Sequence, residues 1–201
     1  MPELEFFYDF VSPYSYLAST RVEAEARRAG GTVRFRPFLV GGVFKATGHE
    51  GPRAVPAKLA HMWTDLERWA RRLGVPLARP ATFPVLTVLP LRAALAAEGA
   101  GGLVPFTHAL FRAYWVEGRD VSRPEVVAEA ASGAGLDGPA LVAAAPAHKE
   151  ALARQTQEAI DRGAYGAPAF FVGDEMFVGN DRLDFALEAL AAAAGRPAGR
   201  P

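Results

Sequence analysis

Two hydroxyls, Ser12 and Ser15, flank the start of an expected helix in the run Phe7-Tyr8-Asp9-Phe10-Val11-Ser12-Pro13-Tyr14-Ser15-Tyr16-Leu17-Ala18. Redox proteins that work through Cys-x-x-Cys place their pair at this spacing, where unpaired N–H groups and the positive helix end favour a thiolate. This chain has no cysteine. Disulfides, cysteine-ligated zinc and a cysteine nucleophile are therefore excluded. With serine in place of cysteine, a thiolate from outside could sit at the helix start and accept a hydrogen bond from Ser12. Local sequence leaves open the alternative that Ser12 is only an N-cap.

Two further segments could bind parts of a ligand. In Tyr165-Gly166-Ala167-Pro168-Ala169-Phe170-Phe171-Val172, a proline just before a strand invites a cis bond. Such a loop would expose the backbone N–H and C=O of Ala167 to an extended peptide; an ordinary turn is the other reading. In Gly179-Asn180-Asp181-Arg182-Leu183 a second helix start could take a carboxylate on its N–H groups, with Asp181 holding an ammonium. Asn180 or Asp181 could equally cap the helix. Asp9 could be buried near the first loop and assist there, or serve a loop hydrogen bond. His49, His61, His108 and His148 show no metal-ligand spacing, so no metal is expected, and surface or helix-packing roles are assigned to each.

The elements that carry these residues follow from periodicity and punctuation. Leu4 to Tyr8 is a short apolar run that reads as a buried strand. Ala18, Val22 and Ala26 mark one face of a single helix stopped by Gly30-Gly31. Val33-Arg34-Phe35-Arg36 alternates as a second strand, which favours parallel pairing across a β-α-β unit. From about Val43 to Gly163 no strand is expected. Leu59, Met62, Trp63, Leu66, Trp69, Ala70 and Leu73 form an apolar helical stripe, and further helices are expected near 91–98, 104–116, 124–134 and 149–162. Ala169–Val172 and Met176–Val178 flank Gly173-Asp174-Glu175 as a hairpin, before a last helix with Leu183, Leu187 and Leu190 inside. The order gives an α/β, thioredoxin-like fold with an all-helical insertion: residues 1–42 and 164–195 as one discontinuous domain, 43–163 inserted, and 196–201 as a flexible tail.

Composition supports a globular enzyme-sized domain. The chain has 201 residues, half of them apolar, with 22 Lys plus Arg against 22 Asp plus Glu. Nucleic acid and membrane are poor partners for so even a charge. No apolar run is long enough to span a bilayer, and Met1-Pro2-Glu3-Leu4-Glu5 runs into a strand without a signal-like start, so a cytoplasmic location is expected.

The three segments would meet at one sheet edge as a thiolate site, a peptide-backbone site and an amino-acid-head site, the three parts of glutathione. In these same segments, and in Gly-Gly-Val-Phe-Lys-Ala-Thr-Gly at 41–48 and Asp-Leu-Glu-Arg-Trp-Ala at 65–70, the chain resembles the 2-hydroxychromene-2-carboxylate isomerases of the DsbA-like and kappa-class glutathione transferase group. The resemblance implies that Ser12 is catalytic and activates the glutathione sulfur. It also implies that Ala167 beside Pro168 pairs with the cysteinyl backbone, that Asn180 and Asp181 hold the γ-glutamyl end, and that Lys45 and Phe83 contact substrate. A homodimer acting on a small molecule is the family expectation. Two departures stand out: the asparagine expected after Gly51-Pro52 is absent, and Leu86 replaces a polar residue. The implied chemistry is reversible thiol addition to an unsaturated or aromatic 2-oxo acid; a kappa-like conjugating transferase and a non-catalytic, redox-dead binding module are the alternatives.

Overall fold

The computed structural model describes residues 1–51 and 54–196. The position after Gly51-Pro52 and the tail from residue 197 onward, for which flexibility is expected, lie outside the described residues. The fold is α/β and thioredoxin-like, with a mixed four-stranded sheet and a helical block between its halves.

Strand β1 (Glu3–Tyr8) lies in parallel beside β2 (Thr32–Pro37), with Phe6 opposite Phe35. On its other edge β1 meets β3 (Ala169–Val172) antiparallel, and β3 turns into β4 (Glu175–Val178), giving the order β2-β1-β3-β4. Both faces are covered at Phe6, Phe7 and Tyr8, so this stretch reads as an apolar run rather than an alternation. Leu4, Phe6 and Tyr8 enter the larger core with Phe35 and Phe170, while Phe7 packs on the opposite face with Phe38, Ala159 and Phe171. Fully burying each such aromatic contributes roughly 1.5–3 kcal/mol.

Helix α1 (Pro13–Ser19) and α2 (Val22–Ala29) replace the single helix expected from the four-residue spacing. The Ser19 and Thr20 hydroxyls each donate to the carbonyl three residues back, at 2.7 Å. Such side-chain bonds compete with the helix ladder and end α1 at Thr20.

A short helix not foreseen in the sequence, α3 (Val40–Thr47), follows β2. Gly41-Gly42 lowers its intrinsic propensity, but the absence of a side chain at Gly42 lets α3 approach Thr156, where a Cβ would stand 3.1 Å from Cγ2. The remaining block is α4 (Pro56–Leu73), α5 (Val88–Gly99), α6 (Leu103–Trp115), α7 (Pro124–Gly133), α8 (Gly138–Ala144) and α9 (Lys149–Asp161), and α10 (Leu183–Ala193) closes the chain. The stripe on α4 buries Met62, Trp63, Leu66 and Ala70.

The alternation of β2 suggests an outward Arg36, yet only 6% of it is exposed. Its guanidinium reaches Glu5 Oε2 at 2.6 Å, Gln155 Oε1 at 2.9 Å and Glu158. Paired in this way, a buried guanidinium is tolerated and fastens α9 to the sheet. Arg196 donates to the Arg28 carbonyl at 2.8 Å, so the chain is packed that far.

Candidate active site

Ser12 sits just outside α1 with extended backbone angles, and Pro13 occupies the first helical position. Its Oγ accepts the Ser15 N–H at 3.1 Å and donates to the Ala167 carbonyl at 2.9 Å. Capping and a second role are thus compatible: one lone pair serves the helix, and the hydroxyl proton rests on Ala167. Turning that proton toward a bound acceptor needs only rotation about Cβ–Oγ. Ser15 is fully buried and its hydroxyl has no partner among the described residues, so only its backbone N–H serves the loop.

The loop is braced from beneath by Asp9, which is fully buried. Its carboxylate accepts the N–H of Val11 at 3.2 Å and of Val40 at 2.9 Å, and the Phe10 N–H and the Thr87 hydroxyl are close enough to lower its pKa further. Burial pushes its pKa up to about 6, against the pull of those donors. Trp115 on α6 donates its indole N–H to the Phe10 carbonyl at 2.9 Å, which hooks the helical block onto the same loop.

Ala167 precedes Pro168 across a cis bond, as expected for that loop; Phe83–Pro84, not anticipated, is also cis. The Ala167 carbonyl is taken by Ser12, while its N–H has no protein partner among the described residues. Gly166, Ala167 and Ser12 border one cavity of about 970 Å³. Phe83 also borders it and is held between Trp63 and Trp115, at ring-centre distances of 5.2 and 5.9 Å. Lys45 does not reach the cavity: it is exposed on α3. The lysine at the cavity is Lys58, in the first turn of α4, and His49 and His61 border it too. Sequence spacing had put these histidines down to surface or packing roles, because each lies alone and only the fold brings them together.

Asn180 and Asp181 lie in a 3₁₀ turn over Asn180–Arg182 rather than capping α10, whose start has no side-chain cap. The turn begins at Gly179, where φ is +105° and a Cβ would fall 2.6 Å from Asp181 Oδ1, so glycine is required there. Asp181 is exposed and pairs with Arg182 at 3.1 Å. Asn180 is only 1% exposed, and neither its amide nitrogen nor its oxygen has a partner among the described residues. Neither residue borders the cavity directly. Tyr14 does, and burial, then its hydrogen bond to Asp65 at 2.8 Å and the charge of Asp65, and last the charge of Asp181 push its phenol pKa upward.

Among the described residues no cluster of His, Asp or Glu could hold a metal, and no helix is long and apolar enough to cross a membrane. A family model for the DsbA-like thioredoxin domain matches residues 3–191, which sets the class. The 2-hydroxychromene-2-carboxylate isomerase of Sphingobium xenophagum is 38% identical over 186 residues, covering 90% of this chain and 94% of that one. Human glutathione S-transferase kappa 1 is 28% identical over 199 residues, covering 90% of this chain and 87% of its own. A solved 2-hydroxychromene-2-carboxylate isomerase superposes with a TM-score of 0.81 at 32% identity, over 96% of this chain and 94% of that structure. The chain belongs to the 2-hydroxychromene-2-carboxylate isomerase family of DsbA-like thioredoxin-domain enzymes.

Proposed function

We propose that this protein is a glutathione-dependent isomerase of an aromatic or unsaturated 2-oxo acid of the 2-hydroxychromene-2-carboxylate type, working in the cytoplasm as a homodimer. The observation that carries the reading is the Ser12 hydroxyl beside an unpaired Ala167 N–H, on a large cavity, in a chain without cysteine. The names of the relatives point the same way. Glutathione would supply a thiolate able to add reversibly to a conjugated carbon, so that the former double bond can rotate.

The residues present suit that group. The orphaned amide of Asn180 is an unmet demand for a ligand that can both give and accept hydrogen bonds, and an amino-acid head does both. Asp181 offers a counter-charge to an ammonium, and the Ala167 N–H a partner for a peptide carbonyl. Ser12 would donate its proton to the sulfur anion while still capping α1. Because α1 has only seven residues, the hydroxyl rather than the helix field is the main local donor. Phe83 and its aromatic neighbours form an apolar wall for the substrate's ring, and Lys58 can attract its carboxylate. Exclusion of water by that wall strengthens each polar contact made within it.

Likeness to the kappa transferases favours a second reading, conjugation of electrophiles, which shares every contact named for glutathione. The test is turnover of a conjugated aryl 2-oxo acid by protein stripped of thiols. Activity should appear only when glutathione is added, and a phosphine reductant should not replace it. Full activity without any thiol overturns the reading, and accumulation of a stable conjugate instead of isomer selects the second one.

A further inference from the structure

Of the four histidines, one is fixed in a single orientation at the cavity without using its second nitrogen. His49 Nδ1 accepts the Gly51 N–H at 2.8 Å. A ring nitrogen that accepts carries no proton, so the neutral imidazole bears its hydrogen on Nε2. That nitrogen has no partner among the described residues. The ring is packed on Phe44 with centres 4.9 Å apart, and the His49 backbone N–H is tied to the Phe44 carbonyl at 3.0 Å. Phe44 and His49 both border the cavity that holds Ser12. By contrast, His108 is engaged with Glu23 at 2.8 Å, His148 does not border the cavity, and His61 borders it with no hydrogen-bond partner for its ring among the described residues.

We infer that the neutral His49 Nε2–H donates a hydrogen bond to the ketone oxygen of the conjugated 2-oxo acid and stabilises the negative charge that develops there. The inference rests on the reaction class proposed above. When a nucleophile adds to the far carbon of the alkene, a new bond forms to that carbon and the C=C π bond breaks. The electron pair shifts through the carbonyl onto the ketone oxygen and returns when the nucleophile leaves. Nothing is consumed, and no proton has to leave the imidazole. A fixed neutral donor aimed at such an oxygen is worth far more than one that must reorganise. Besides His49, the charged and titratable side chains sharing the cavity wall are Asp9, Tyr14, Glu50, Lys58, His61 and Tyr165. Lys58 suits the substrate's carboxylate, which leaves the ketone oxygen for His49.

The test compares His49→Gln, whose amide nitrogen can reach where Nε2 stood, with His49→Phe, which keeps the packing on Phe44 and removes the donor. The first readout uses no glutathione: the infrared carbonyl band of a bound 4-aryl-2-oxobut-3-enoate. It should move to lower frequency in wild type and in the Gln variant and stay at its solution position in the Phe variant. The second is turnover with glutathione, where Phe should lower kcat by about 10²-fold with little change in KM, and Gln should retain most activity. If the Phe variant fails to fold, His49→Leu takes its place. An unshifted band in wild type, or the same band and kcat in the donor-free variant, overturns the inference. Omitting glutathione from the wild-type assay separately judges the thiol reading, so the two can fail independently.

Discussion

Ser12 carries two bonds where the sequence suggests a choice between two roles. Its oxygen caps α1 through the Ser15 N–H, and its proton lies on the Ala167 carbonyl. Ser12→Ala should cost about 1 kcal/mol of stability through the lost cap and Ser12→Gly only a few tenths. Both should slow turnover alike and raise the pKa of bound glutathione, followed by thiolate absorbance against pH. Ser12→Cys should instead form a mixed disulfide with oxidised glutathione. A Gly variant that titrates and turns over as wild type would reduce Ser12 to a cap. This site was legible because a helix-start serine, a pre-strand proline and a Gly-Asn-Asp turn each leave a local signature. Lys58, His49 and His61 leave none. They reach the cavity only because α3, the segment 49–51 and α4 all border it.

At the scale of elements, the break between α1 and α2 matters more than the helices themselves. It frees Arg21 from a helix face and lets it span three neighbours. The guanidinium donates to the Asn180 carbonyl at 3.0 Å and pairs with Asp184 at 2.8 Å and Glu25 at 3.2 Å. Arg21 therefore holds the 3₁₀ turn that presents Asn180 and Asp181, without bordering the cavity itself. The break leaves no mark in the sequence pattern, since the Ala18, Val22 and Ala26 spacing continues unbroken while the Ser19 and Thr20 back-bonds are invisible to periodicity. Arg21→Met should weaken glutathione binding by about 10-fold, the equivalent of one charged hydrogen bond, and Arg21→Lys should recover little of it because a lysine lacks the planar fork. Turnover at saturating glutathione should stay near wild type. Titration calorimetry giving unchanged affinity for the Met variant would mean that the turn holds its shape unaided.

Across the whole molecule, element order and the two-sided burial of β1 were readable, because apolar runs, proline starts and glycine stops are local. Contacts between distant segments were not: Arg36 buried against α9, Trp115 on the Phe10 carbonyl, and Asp9 reaching three parts of the chain. Asp9 joins the end of β1 to the first turn of α3, and Thr87 at the start of α5 lies close enough to lower its pKa. Its role is to hold these parts of the chain together, and it makes a signed prediction. Its pKa is raised from 3.8 to about 6, chiefly by burial. Between those values the folded protein holds a proton that the unfolded chain has already lost. Stability from this group is therefore greatest at low pH and falls as pH rises through the window, by up to about 3 kcal/mol. Other carboxylates add slopes of their own, so the comparison must be between wild type and Asp9→Asn over pH 4 to 6.5 by urea unfolding. The variant loses an acceptor for one of the two N–H groups and should be less stable near pH 4. The gap should then narrow as pH climbs, because only wild type bears the growing cost of a buried charge. A gap that stays constant across the window would mean that Asp9 titrates alike in the folded and unfolded chains, and that the donors from Val11, Val40 and Thr87 fully offset its burial.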